Sequence, residues 1–196
     1  MKIVVLPGVG FHDKVDPKDI PLINCLMKRF PQDTIEYFNW NNGHTIPPPP
    51  EDMTWWFKPI RKFLIEVIFD FDQVIAHPFE TYVPPADIYI GHSAGSVLAM
   101  LQGKPTVTFG SPYEFVADLQ SLKSLNTKTI NRVITERAQP VFNIVNDNDI
   151  LAANIKVAEN YHYKAGWTPW TAHWDYWDNK DVCKHIAAKI EEWKNL

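Results

Sequence analysis

The 196-residue chain predicts an α/β fold, a three-layer α/β/α sandwich around a mainly parallel sheet. Three observations predict it. Short apolar runs such as Ile3 to Leu6 are continuous rather than alternating, the form of strands covered on both faces. Between them lie stretches whose apolar residues recur at helical spacing. The two kinds alternate along the chain, which calls for right-handed crossovers between parallel strands. At this length one domain, 1–196, is the expectation.

The elements follow in order. The first strand, Ile3 to Leu6, is ended by Pro7-Gly8. Asp16 offers a helix N-cap with Pro17 at the first helical position, and Ile20, Ile23, Met27 and Phe30 repeat at helical spacing. Ile35 to Phe38 is the next strand. Residues 39–54, with Pro47 to Pro50, form an extended loop without ladder hydrogen bonds. Trp56, Ile60, Phe63, Leu64, Val67, Ile68 and Phe71 then mark one face of a long amphipathic helix, with Lys58, Arg61, Lys62 and Glu66 on the other. A strand at 88–90, a helix at 94–102, a strand at 105–109, a helix near 113–123 and a strand at 140–145 follow. A last helix runs from Asp181, with Val182, Ile186, Ile190 and Trp193 on one face.

Composition excludes several classes. Net charge is -4 and the basic residues are scattered, so no nucleic-acid partner is expected. No run of 18 apolar residues offers a transmembrane segment. Pro7 and Gly8 interrupt the apolar start and no small-residue cleavage site follows, which favours a buried strand over a signal peptide. The two cysteines, Cys25 and Cys183, fall in apolar helical stretches. They are expected as buried free thiols in a reducing, cytoplasmic compartment.

The chemistry concentrates at Gly91-His92-Ser93-Ala94-Gly95, between a strand and a helix. A nucleophile elbow needs that order. Its serine sits on a sharp, strained turn where side chains two residues away on either side would collide, and Gly91 and Gly95 remove them. Ser93 is the candidate nucleophile. Ala94, at the helix N-terminus, offers the first oxyanion donor, with Val9 and Gly10 of the turn after the first strand as candidates for the second.

A serine nucleophile requires a base oriented by an acid. Of seven histidines, His92 lies inside the elbow turned away from Ser93. His44 and His77 border prolines, and His185 lies on the last helix. His12 and His162 remain candidates, whereas His173 stands between the loop Gly166 to Trp170 and the last helix, where the histidine of a Ser–acid–His chain order falls. The acid belongs after the strand at 140–145, where Asp147 and Asp149 both qualify and spacing does not choose between them. A calcium loop fails there, since counting from Asp147 puts Ala152 at the glycine position and Ala158 at the twelfth.

Taken together, GHSAGSVLA at 91–99, VTFGSP at 107–112, IVNDNDI at 144–150 and HWDYW at 173–177 resemble the class 3 lipase branch of the α/β-hydrolases. That branch shows a GHSxGG elbow, a TFGxP strand end, an NDxVP acid and a histidine before a YW pair. The resemblance covers about residues 88–178 and implies a reduced α/β-hydrolase fold with Ser93 as nucleophile, Asp149 as acid and His173 as base. Ser96 replaces the second elbow glycine and Leu151-Ala152 replaces Val-Pro. Leu6-Pro7-Gly8-Val9-Gly10-Phe11 resembles the HGxG oxyanion turn of the wider superfamily, with Pro7 in place of histidine.

The expected activity is hydrolysis of a small-molecule carboxylic ester through an acyl-enzyme, with no cofactor and no metal. Thioester hydrolysis is one alternative, and a non-catalytic binding module on the same fold is another. Residues 39–60, with Trp55, Trp56 and Phe57, form either a lid or wall for an acyl chain or a seal over a small core.

Overall fold

A computed structural model describes residues 1–8, 16–40, 81–113, 132–136 and 139–195. Its strands are β1 (Lys2–Leu6), β2 (Thr34–Tyr37), β3 (Ile88–His92), β4 (Thr106–Phe109), β5 (Val141–Asn146) and β6 (Glu159–Tyr163). Its helices are α1 (Pro21–Arg29), α2 (Ala94–Leu101), α3 (Pro169–Asp175) and α4 (Lys180–Lys194). The strands form one sheet in the order β2-β1-β3-β4-β5-β6, and every pairing is parallel.

The pleat sends successive residues to opposite faces, and both faces are covered. Ile3, Val5, Ile88, Ile90, Val107, Phe109, Phe142 and Ile144 pack with Leu22, Ile23 and Leu26 of α1 and with Val182, Ile186 and Ile190 of α4. Val4, Leu6 and Tyr89 pack on the other side with Val97, Leu98 and Leu101 of α2. This is the three-layer α/β/α arrangement expected from the unbroken apolar runs, which have no solvent face to serve.

Two local expectations change, and one strand is added. Asp16 does cap a helix, its side chain accepting from Lys18 N–H, but only the short 3₁₀ turn Pro17–Asp19. The α-helix restarts at Pro21 because Ile20, preceding a proline, is held extended at φ -80°, ψ 116°. Residues 159–163, to which the sequence assigned no element, form the edge strand β6. Its sequence, Glu-Asn-Tyr-His-Tyr, offers no apolar run, and polar side chains hold its register: Thr108 Oγ1 donates to Asn143 Oδ1, and Asn143 Nδ2 donates to Asn160 Oδ1. The stretch before His173, read as a loop, closes into α3. There Thr168 and Thr171 form a capping box, with Pro169 in the first turn.

The thiols are corrected as well. Cys25 on α1 and Cys183 on α4 form a disulfide across 158 residues of sequence separation. Both helices lie on the same sheet face, which sequence spacing does not reveal, and the thiol argument for a reducing, cytoplasmic compartment falls with the correction. Among the described residues no helix is long and apolar enough to cross a membrane. Residues 41–60 of the expected lid, the long helix after it and all but the start of the helix near 113–123 lie outside the described residues.

Closing so long a loop restricts the unfolded chain by about 5 kcal/mol on the chain-entropy account. Reduction, or Cys25→Ala, should therefore lower unfolding stability by several kcal/mol. Denaturant titration with and without reductant measures this, and thiol alkylation before reduction should label neither cysteine.

Candidate active site

The strand order reverses direction between β1 and β3, and in open α/β sheets ligands bind in the crevice at such a point, outside the carboxyl ends of the strands. At that edge lie Gly8 after β1, Ser93 after β3, Gly110 after β4 and the run Asp147 to Asp149 after β5.

Ser93 joins β3 to α2 at φ 51°, ψ -128°, and among the described residues no other non-glycine has a positive φ. Such backbone costs on the order of 1–3 kcal/mol and persists only where its surroundings fix it. A Cβ on Gly91 would lie 2.5 Å from Ser96 Cα, and one on Gly95 would lie 2.5 Å from the carbonyl oxygens of both Leu6 and Pro7. Neither position has room for a side chain: Gly91 lies against the first turn of α2, and Gly95 against the chain at the end of β1. Ser93 N–H donates to Phe109 O at 3.1 Å, and Ser96 N–H donates to Ser93 O at 3.0 Å. Ser96 Oγ donates to the same carbonyl at 2.5 Å and lies 2.6 Å from Ser111 Oγ. The departure from glycine at position 96 therefore supplies a hydroxyl brace for the strained turn.

The candidate acid and base lie in contact. His173 Nδ1 lies 2.8 Å from Asp149 Oδ2, with both residues buried. Asp149 Oδ2 also accepts from Tyr176 Oη at 3.1 Å, and Asp149 Oδ1 accepts from Leu151 N–H at 3.0 Å. Burial, reinforced by the negative charge of Asp149, pushes the Tyr176 phenol far above its ordinary value, so it stays a donor. Its oxygen in turn accepts from Asn146 N–H. Asn146 Nδ2 donates to Ala165 O and Ala172 O, tying the acid loop to the chain around α3. Asp147, the other candidate acid, faces the exposed His162, with Oδ1 2.7 Å from Nδ1. Spacing left the two aspartates level; in the structure Asp149 is the partner of His173, and His162 belongs to Asp147.

His92 bridges the two halves of the site. Its ring centroid lies 4.7 Å from that of His173, and its Nε2 lies 3.1 Å from His173 O. Complete burial, and then the neighbouring His173, hold its pKa well below the ordinary histidine value. The turn after β1 also reaches Ser93. A Cβ on Gly8 would lie 2.6 Å from Ser93 Cβ and 3.3 Å from its Oγ, and Trp40 Nε1–H pins this turn by donating to Pro7 O at 2.7 Å. Ala94 opens α2 beside Ser93. Val9, Gly10, Trp55, Trp56 and Phe57 lie outside the described residues. Sequence reasoning missed Tyr176, Asn146, Ser96 and Ser111 as supports, and only the YW pair after His173 carried any signal of them.

No family model matches the chain, and no curated protein matches it significantly. Among solved structures it is similar to the esterase domain of a Rhodothermus marinus protein, at TM-score 0.49 and 10% identity over 98% of this chain and 85% of that one. It is also similar to esterase PE8, at TM-score 0.46 and 17% identity over 97% of this chain and 91% of that one. At these scores any chemical assignment rests on the site itself.

Two outcomes follow from this geometry. Tyr176→Phe removes a buried donor to a carboxylate and strands Asn146 N–H, so it should cost about 2–3 kcal/mol in a denaturation experiment. His92 stays neutral when folded but binds a proton when unfolded below about pH 6.5. Its contribution to stability should therefore be intact above that pH and decline below it, by up to about 1.4 kcal/mol per unit. Unfolding curves between pH 7.5 and 5 should show a shallower decline for His92→Gln, which cannot titrate.

Proposed function

We propose that this chain is a serine hydrolase of the α/β-hydrolase kind that cleaves carboxylic esters through an acyl-enzyme. The observation that carries the reading is the pairing, at one sheet edge, of a serine in strained positive-φ geometry at a helix N-terminus with a buried His173–Asp149 hydrogen bond. An ordinary glycine turn has no need of the strain, and a structural histidine has no need of a buried carboxylate braced by Tyr176.

On this reading His173 Nδ1–H donates to Asp149, which leaves Nε2 as the base. As Ser93 Oγ attacks the ester carbonyl carbon, its proton passes to His173 Nε2, and Asp149 stabilises the imidazolium. The carbonyl oxygen becomes the oxyanion. Ala94 N–H, in the first turn of α2 with no intrahelical acceptor, is its donor. The tetrahedral intermediate collapses as His173 returns the proton to the departing alkoxide. Water, activated by the same histidine, then attacks the acyl-enzyme and releases the acid and free Ser93.

The wild-type chain should hydrolyse short-chain p-nitrophenyl esters and take up a fluorophosphonate label only while folded. Ser93→Ala should lose both without a marked drop in melting temperature; equal turnover by the two proteins would defeat the reading. Asp149→Asn should lower turnover by on the order of 10⁴-fold by leaving the base in the wrong tautomer. Asp147→Asn should change it little, and the reverse order of the two losses would reassign the acid.

A further inference from the structure

His92 is a fully buried ionisable side chain beside the site to which the proposed chemistry gives no part. We propose that His92 is a positioning residue: its ring keys the base-bearing helix α3 directly to the nucleophile turn, by donating Nε2–H to the backbone carbonyl of His173. The inference rests on the reading of Ser93, Asp149 and His173 as a triad.

The hydrogen bonds at the two ring nitrogens define one tautomer. Nε2 lies 3.1 Å from His173 O, an acceptor only, so Nε2 carries the hydrogen. Nδ1 lies 3.3 Å from Trp177 Nε1, a donor only, so Nδ1 carries the lone pair. A protonated ring would set two donors against each other at Nδ1, and the depressed pKa of the buried ring agrees with this geometry. Among the described residues its titratable ring neighbours are His173, whose ring stacks at 4.7 Å, and Tyr176 at 6.0 Å, both on the α3 side. Asp149 bonds to these two. On its other sides the ring meets Phe109 of β4 and Trp177.

Two glycines make room for the ring. A Cβ on Gly110, at φ 57°, would lie 3.2 Å from both His92 Nε2 and His173 Cε1. A Cβ on Gly8 would lie 3.0 Å from His92 Nδ1, in the same turn that abuts Ser93. His92 therefore touches the turn after β1, precedes the nucleophile in the chain and holds the base by its main chain. Among the described residues, Asp149 holds His173 at its ring and His92 holds it at its carbonyl. Loss of the second hold leaves the ring free to drift from Ser93, and a displacement of about 1 Å can cost 10²-fold in rate.

The test uses two variants. The amide of His92→Gln reaches about as far as imidazole Nε2 and can still donate to His173 O, whereas that of His92→Asn reaches only about as far as Nδ1. The expected result with p-nitrophenyl acetate is a kcat loss on the order of 10²-fold for His92→Asn with KM nearly unchanged, and recovery of most of that loss in His92→Gln. In parallel, the hydrogen-bonded Nδ1–H proton of His173, read by NMR without substrate, should be sharp in wild type and His92→Gln and broadened in His92→Asn. A wild-type kcat in His92→Asn would overturn the proposal. So would equal kcat losses in both variants that track their melting temperatures, or an unchanged His173 proton signal in all three proteins. A wild-type protein that hydrolyses no ester would sink the functional reading alone, and the NMR comparison would still decide whether His92 orders His173.

Discussion

The turn at Ser93 carries the constraint on which the rest of the carboxyl edge depends. A serine at φ 51° is unfavourable by itself, and it is held by one main-chain bond to β4 and another from Ser96, by the hydroxyls of Ser96 and Ser111, and by glycines that let the chain pass close by. Gly95 gives the clearest case. Its missing side chain lets α2 begin directly against the Leu6 and Pro7 carbonyls, which brings the turn after β1 beside the serine. Strain at one residue is offset by close packing on three sides.

A second layer of order comes from buried polar groups rather than apolar contact. Asp149, Tyr176, Asn146 and His173 lie in one buried network. A charge placed there is costly unless all its lone pairs find donors. Here Asp149 has an imidazole, a phenol and a backbone N–H. The same network fixes which aspartate faces the histidine, because Asp147 is drawn to the exposed His162 on β6. The disulfide between α1 and α4 lies on the sheet face that α1 and α4 cover, so its constraint acts on the scaffold and leaves the crevice to the polar network.

What the sequence determined by itself is local or periodic. Apolar runs covered on both faces, helical repeats, proline and glycine punctuation and the strand–GHSAG–helix order are properties of neighbouring residues, and they were enough for the layered parallel sheet and for the sharp strand-to-helix turn at Ser93. What only the tertiary structure decided are the pairings between distant segments. The contact of Asp147 with His162, the disulfide across 158 residues, the phenol of Tyr176 on Asp149 and the contact of His92 with the backbone of His173 each join chain stretches that periodicity leaves unrelated. Strand β6 stayed hidden because its apolar signal is only the alternation of Tyr161 and Tyr163, which pack against the core; ladder bonds and the Asn143–Asn160 contact join it to β5, partners that exist only once the sheet has formed.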